Sequence, residues 1–71
     1  MNVKEVSDYL ISKYFCYIYY DKANYYISYM YKNEQIDFYH RINMITWRSV
    51  VYKLTSFDDI DRIIELINER I

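Results

Sequence analysis

The chain has 71 residues and a formal net charge of −1, with 54% hydrophobic and 27% charged residues, eleven tyrosines, one cysteine, and neither glycine nor proline. That length holds one domain, which buries only about 60% of the surface its unfolded chain exposes. The apolar content lies far above the disordered range, the near-neutral charge excludes a general electrostatic pull toward nucleic acid or anionic lipid, and one cysteine excludes an internal disulfide.

Asn2 with Glu5 three residues later reads as a capping box, with Asn2 bonding an orphan amide and Glu5 reaching back. Val3, Val6, Leu10 and Tyr14 then recur at helical steps, so a helix is predicted from Val3 to Lys13 or Tyr14. From Phe15 the period becomes two, with Cys16, Ile18 and Tyr20 on one face and Tyr17 and Tyr19 on the other. Asp21-Lys22-Ala23-Asn24 breaks that strand. A second strand, Tyr25 to Tyr31, sets Tyr25, Ile27, Tyr29 and Tyr31 against Tyr26, Ser28 and Met30. After the turn Lys32-Asn33-Glu34-Gln35, a third strand sets Ile36, Phe38, His40 and Ile42 against Asp37, Tyr39 and Arg41. With no glycine available, Asn24 or Asn33 is expected to take any left-handed turn conformation.

Met44 to Leu54 carries two signals. Trp47, Val50, Val51 and Leu54 have helical spacing, whereas the β-branched content and the short link at Thr55-Ser56 favour a strand. The last helix is plainer: Ser56 is its N-cap, Asp59 takes the acidic box position, and Phe57, Ile60, Ile63, Ile64, Ile67 and Ile71 form one stripe. Asp58, Asp61, Glu65 and Glu69 are expected to point away from it.

These elements predict an α+β two-layer sandwich: an antiparallel sheet of three or four strands flanked in sequence by an N-terminal and a C-terminal helix, in a single domain spanning residues 1–71. Two helices with one apolar stripe each cover one face of such a sheet and leave the other to solvent. The more aliphatic parity of each strand puts Ile18, Ile27, Ile36, Phe38, Ile42, Trp47 and Val51 in the core. Tyr17, Tyr19, Tyr26, Tyr39, Arg41, Arg48 and Tyr52 then share the open face. Large amphipathic rings beside forked guanidinium donors are the composition of protein interfaces.

Chemistry is sparsely written. His40 falls on the core parity of its strand, Cys16 behaves as a small buried hydrophobe, and the serines have no glycine with which to build a nucleophile elbow. Phosphate-cradling loops also need glycine, and Asp58-Asp59-Asp61 lacks calcium-loop spacing. No catalysis, cofactor or metal is expected. The helix-strands-helix order resembles the outline of a double-stranded-RNA-binding domain, but the lysine-rich helix start of those domains is replaced by Phe57-Asp58-Asp59, whose charge has the wrong sign for phosphates. A single-strand binder stacking bases on the sheet tyrosines, with Arg41 and Arg48 beside the phosphates, is an alternative.

The expected partner is therefore another protein, or a second copy of the chain, with the acidic residues Asp58, Asp61, Glu65 and Glu69 as a further contact for a basic surface. The lone cysteine, the absence of a basic-then-apolar leader in MNVKEVSDYL, and the lack of an apolar run of ~18 residues point to a cytoplasmic protein without a membrane span. Isoleucine, tyrosine, asparagine, lysine, phenylalanine and methionine exceed half the chain and alanine occurs once, a bias toward AT-rich codons that suggests a low-GC bacterium, its phage, or a virus. By analogy of size and composition, the expected role is that of a small inhibitor occluding a host enzyme such as a bacterial immune nuclease. The alternative is a homo-oligomeric regulator or single-stranded nucleic-acid binder using the same face.

Overall fold

Helix α1 (Val3–Tyr14) starts where the Asn2 side chain accepts the Glu5 amide at 2.8 Å. Only this half of the expected capping box forms. The helix stops at Phe15, whose φ of 58° is left-handed, and the Cys16 amide returns to the Leu10 carbonyl at 3.2 Å. The left-handed residue that turns the chain back is not glycine, the usual choice at such an ending.

The computed structural model describes residues 1–71. After α1 come β1 (Tyr17–Asp21), β2 (Ile27–Tyr31), β3 (Glu34–Tyr39), β4 (Met44–Trp47), β5 (Val50–Lys53) and α2 (Phe57–Arg70). The strands form one antiparallel sheet in chain order. The α+β sandwich is thus as expected, with five strands in place of three or four.

The extra strand arises because Met44 to Leu54 is a hairpin. Arg48 and Ser49, with φ of 49° and 64°, form a two-residue turn of the kind that matches strand twist, as do Lys32 and Asn33 at 47° and 66°. Nothing in an Arg-Ser pair announces such a turn, and tertiary contacts hold it. Glu34 Oε1 accepts from Trp47 Nε1 at 2.8 Å and from Arg48 Nε at 3.0 Å, while the Arg48 guanidinium lies 4.7 Å over the Trp47 ring. The indole N–H and then the guanidinium hold the Glu34 carboxyl below its ordinary pKa. Of the two asparagines expected to be left-handed, Asn33 is, but Ala23 (φ 48°) takes that role in the first turn instead of Asn24.

The hairpin changes which side chains face the helices. Trp47 pairs with Val50, Thr46 with Val51 and Ile45 with Tyr52, so reversal after Trp47 moves Val51 to the open face and Tyr52 to the helix side. This corrects the expected core position of Val51 and open position of Tyr52; Tyr52 is half-buried against the core. Ile42 is also outside the core, because β3 ends at Tyr39 and Ile42 sits exposed in the following turn. Ile18 keeps its helix-side register opposite Tyr29 but lies exposed at the sheet edge. A bulge between Ile18 and Tyr20 then inserts one residue, so Tyr20 pairs with Ser28 on the open face and Tyr19 becomes the unpaired residue.

Both helices pack on the same side. Val6 and Leu10 of α1 and Ile60, Ile63, Ile64 and Ile67 of α2 share one buried cluster with Tyr29, Ile36, Phe38, Ile45 and Trp47. Two phenols inside it have partners: Tyr29 with Ser7 Oγ at 2.5 Å, and Tyr31, which donates to Asn68 Oδ1 at 2.7 Å. At the α2 start Asp59 Oδ2 accepts the Ser56 amide at 3.3 Å, as its box position suggests, and also the Thr55 amide and hydroxyl at 2.7 Å each. Ile71 departs from the expected stripe: it lies past the helix end, exposed. No helix is long and apolar enough to cross a membrane.

Asp61 joins the two helices. It accepts from the Tyr9 hydroxyl at 2.8 Å, from Lys13 Nζ at 3.2 Å, and from the Tyr14 hydroxyl, while the Tyr9 ring stacks on Phe57 with centroids 4.5 Å apart. Burial pulls the Asp61 pKa up, but donation by Tyr14, Tyr9 and Lys13 outweighs it and leaves the pKa below the ordinary value. Burial and then the neighbouring carboxylate push the Tyr14 phenol up to about 12.

Two tests follow from this packing. Ile64→Ala truncates a side chain 2% exposed in the shared core and is expected to cost about 2–5 kcal/mol in chemical denaturation; a loss below about 1 kcal/mol would be the cost of a surface position. Asp61 is favoured as a carboxylate by the fold, so its contribution is present above the unfolded carboxylate pKa, near about 3.9, and is lost as pH falls through the lower folded value. Denaturation midpoints measured from neutral to acid pH should therefore fall less steeply for Asp61→Asn than for the wild type.

Candidate functional site

The side of the sheet away from the helices is built in register rows. Tyr17, Met30 and Gln35 form one row, and Tyr20, Ser28, Asp37, Thr46 and Val51 the next. Tyr39, Met44 and Lys53 form the third, and the Tyr26 ring lies 5.1 Å from that of Tyr39. Alternation on a pleated sheet dictates this set once Ile27, Tyr29, Ile36, Phe38, Ile45 and Trp47 face the helices.

Two kinds of surface alternate across it. In the centre, Ser28 is fully buried and donates to Asp37 Oδ1 at 2.5 Å, and Gln35 Nε2 donates to the same oxygen at 3.0 Å. Those groups satisfy one another. Around them, Tyr20, Tyr26 and Tyr39 form a chain of tilted rings with centroids 6.1 and 5.1 Å apart. Hydroxyl chemistry separates these tyrosines from the helix-side ones. Tyr9, Tyr14, Tyr29 and Tyr31 all bond to protein groups, whereas Tyr17, Tyr20, Tyr26 and Tyr39 bond to none.

A hollow of about 530 Å³ opens at one end of this face, lined by Lys22, Tyr25, Tyr26, Tyr39, Arg41 and Ile42. A smaller one of about 180 Å³ shares Tyr39 and Ile42 with it and continues over Met44, Thr46 and Val51 toward β5. Together they make a shallow apolar groove from the β1–β2 turn to the far edge strand. Lys4, Lys13, Arg48 and Arg62 each pair with a carboxylate elsewhere on the molecule. The three cations of the groove and its row, Lys22, Arg41 and Lys53, have no carboxylate within 4.0 Å.

Of the residues expected on this face, Tyr17, Tyr26 and Tyr39 are there, and Arg41 lines the hollow from the β3–β4 turn. Tyr19 is 61% exposed at the bulge, outside the register. Arg48 is committed to Glu34 and Trp47 in its turn, and Tyr52 belongs to the helix side. On α2, Asp58, Glu65 and Glu69 are exposed as expected, but Asp61 is half-buried and engaged by Tyr9, Tyr14 and Lys13, so it is not a free contact. Tyr20, Lys22, Tyr25, Ile42 and Lys53 are additions. Only Lys22, a cation set in a polar break between tyrosine pairs, left any signal in the sequence.

Neither group singled out for chemistry joins this face. His40 Nε2 donates to the Ala23 carbonyl at 3.2 Å, tying two turns together. Cys16 is 3% exposed, and burial pushes its thiol up to about 11. No family model, curated protein or solved structure matches this chain.

The thiol environment gives a direct check of the packing beneath β1. Because the thiolate is the reactive form, Cys16 should react slowly with an aromatic disulfide reagent in the native protein and fast once urea unfolds it. Rapid native labelling would mean that the end of α1 opens readily.

Proposed function

We propose that this chain is a non-catalytic binding module that docks its open sheet face on another protein. One observation carries the reading: Tyr17, Tyr20, Tyr26 and Tyr39 lie on one uncovered face with no hydroxyl partner, whereas four of the five helix-side tyrosines, Tyr9, Tyr14, Tyr29 and Tyr31, have one and the edge residue Tyr52 does not. Large, rigid rings with free polar tips supply contact area at low entropic cost and are enriched where partners meet. The apolar groove beside them adds a concave feature for an anchoring side chain.

The action attached to this face is occlusion. A domain this small covers a functional surface of a larger protein without reorganising, and a host enzyme, a bacterial immune nuclease among them, is the target class that its size and AT-rich codon bias favour. The open face supports this reading more than the acidic side of α2 does, because Asp61 there is already spent on holding the helices together.

The triple substitution Tyr17→Ser, Tyr20→Ser, Tyr39→Ser should retain the native circular dichroism spectrum. Proteins that co-purify with the wild type from a low-GC bacterial lysate should be absent from the triple variant's eluate. An identical set retained by a folded triple variant would remove the face as the docking surface. A wild-type mass above that of one chain in solution, reduced to the monomer by the same substitutions, would assign the face to self-association instead.

A further inference from the structure

We infer that the groove takes an acidic segment of the partner, with an apolar side chain seated in the hollow and carboxylates meeting Lys22, Arg41 and Lys53. This deepens the proposed docking role and rests on it. The larger hollow, about 530 Å³, falls within the roughly 300–1,000 Å³ of sites that bury small ligands. Its walls are the rings of Tyr25, Tyr26 and Tyr39 with Ile42, so the occupant that gains most is an aromatic or branched aliphatic side chain. The extension of about 180 Å³ over Met44 and Val51 accommodates a second, smaller apolar group.

Charge selects what flanks those groups. Lys22 and Arg41 line the hollow, and Lys53 lies in register beyond Met44 on the row that begins at Tyr39. Asp37, the carboxylate within the register rows of the face, is already accepting from Ser28 and Gln35, and Asp21 beside Lys22 accepts the Ala23 amide. Free cations around an apolar groove attract carboxylates, and the planar fork of Arg41 suits a bidentate contact.

Two other occupants fit less well. A second copy placed face to face by a two-fold axis through the hollow would bring Lys22 and Arg41 of both copies toward one another, and a two-fold axis elsewhere would supply no carboxylate from the face except the engaged Asp37. A nucleic-acid strand crossing the sheet would find three cations for its phosphates and would pass the Asp37 carboxylate, whereas backbone tracking needs a continuous basic path.

The test is fluorescence anisotropy with a labelled synthetic peptide in which one phenylalanine and one leucine, two residues apart, are set among aspartates. The full-length protein should bind it saturably and more weakly as salt rises. Lys22→Glu with Arg41→Glu should lower the affinity at least about tenfold; both positions are exposed turn residues without ion-pair partners, and circular dichroism verifies the fold. Absence of peptide binding, or equal binding of a control peptide with lysines replacing the aspartates, would overturn the inference. So would preferential binding of an oligothymidine of matched length, which would assign the groove to nucleic acid. Should the double variant keep the lysate partners that the tyrosine variant loses, the acidic segment is wrong while the docking face stands; partners kept by both variants would remove both.

Discussion

Everything in this molecule depends on the two helices burying their apolar stripes against the same face of the sheet. Tyr29 and Tyr31, two residues apart on β2 and therefore on one side, reach Ser7 of α1 and Asn68 of α2. Asp61 closes the layer by tying α2 to Tyr9, Tyr14 and Lys13 of α1. A chain of this size has only two apolar helical stripes, enough to cover one face of five strands. The opposite face is left bare by supply, and the only side chains available to clothe it are the alternate residues of tyrosine-rich strands.

The same economy shows in the turns. Phe15, Ala23, Lys32, Asn33, Asn43, Arg48 and Ser49 all have positive φ without a glycine among them, a conformation that costs an L-residue on the order of 1–2 kcal/mol. At the two tightest hairpins that cost is offset locally. Turn twist agrees with strand twist, and Glu34, at the start of β3, receives both Trp47 and Arg48 from the other hairpin. The two turns thus support one another through a single carboxylate.

Polarity is distributed along the same division. Four ion pairs, Lys4–Asp8, Lys13–Asp61, Arg62–Asp59 and Arg48–Glu34, lie in the helix layer and at the hairpin end, and the helix-side phenols are all engaged except that of the half-buried edge residue Tyr52. Across the sheet the tyrosine hydroxyls and three cations remain without protein partners, around a groove with apolar walls. The proposed docking role and the proposed acidic occupant both follow from that asymmetry.

Much of this was legible in the order of residues. Periodicity alone placed α1, β2, α2 and the Ile36-to-Tyr39 part of β3, though that strand begins at Glu34, inside the expected turn, and ends before His40; the shortage of helical stripes implied an open face carrying Tyr17, Tyr26 and Tyr39. Such features are local or additive, because a side chain's position along a helix or strand decides its direction. The bulge at Tyr19, the Arg48-Ser49 hairpin and the engagement of Asp61 were not legible. Each depends on a partner distant in the chain: β2 for the bulge, Glu34 for the turn, and Tyr9 and Tyr14 for the carboxylate. A one-residue shift in a strand exchanges its two faces, so those contacts, made only in the folded chain, decided that Tyr20 and Val51 belong to the open surface and Tyr52 does not.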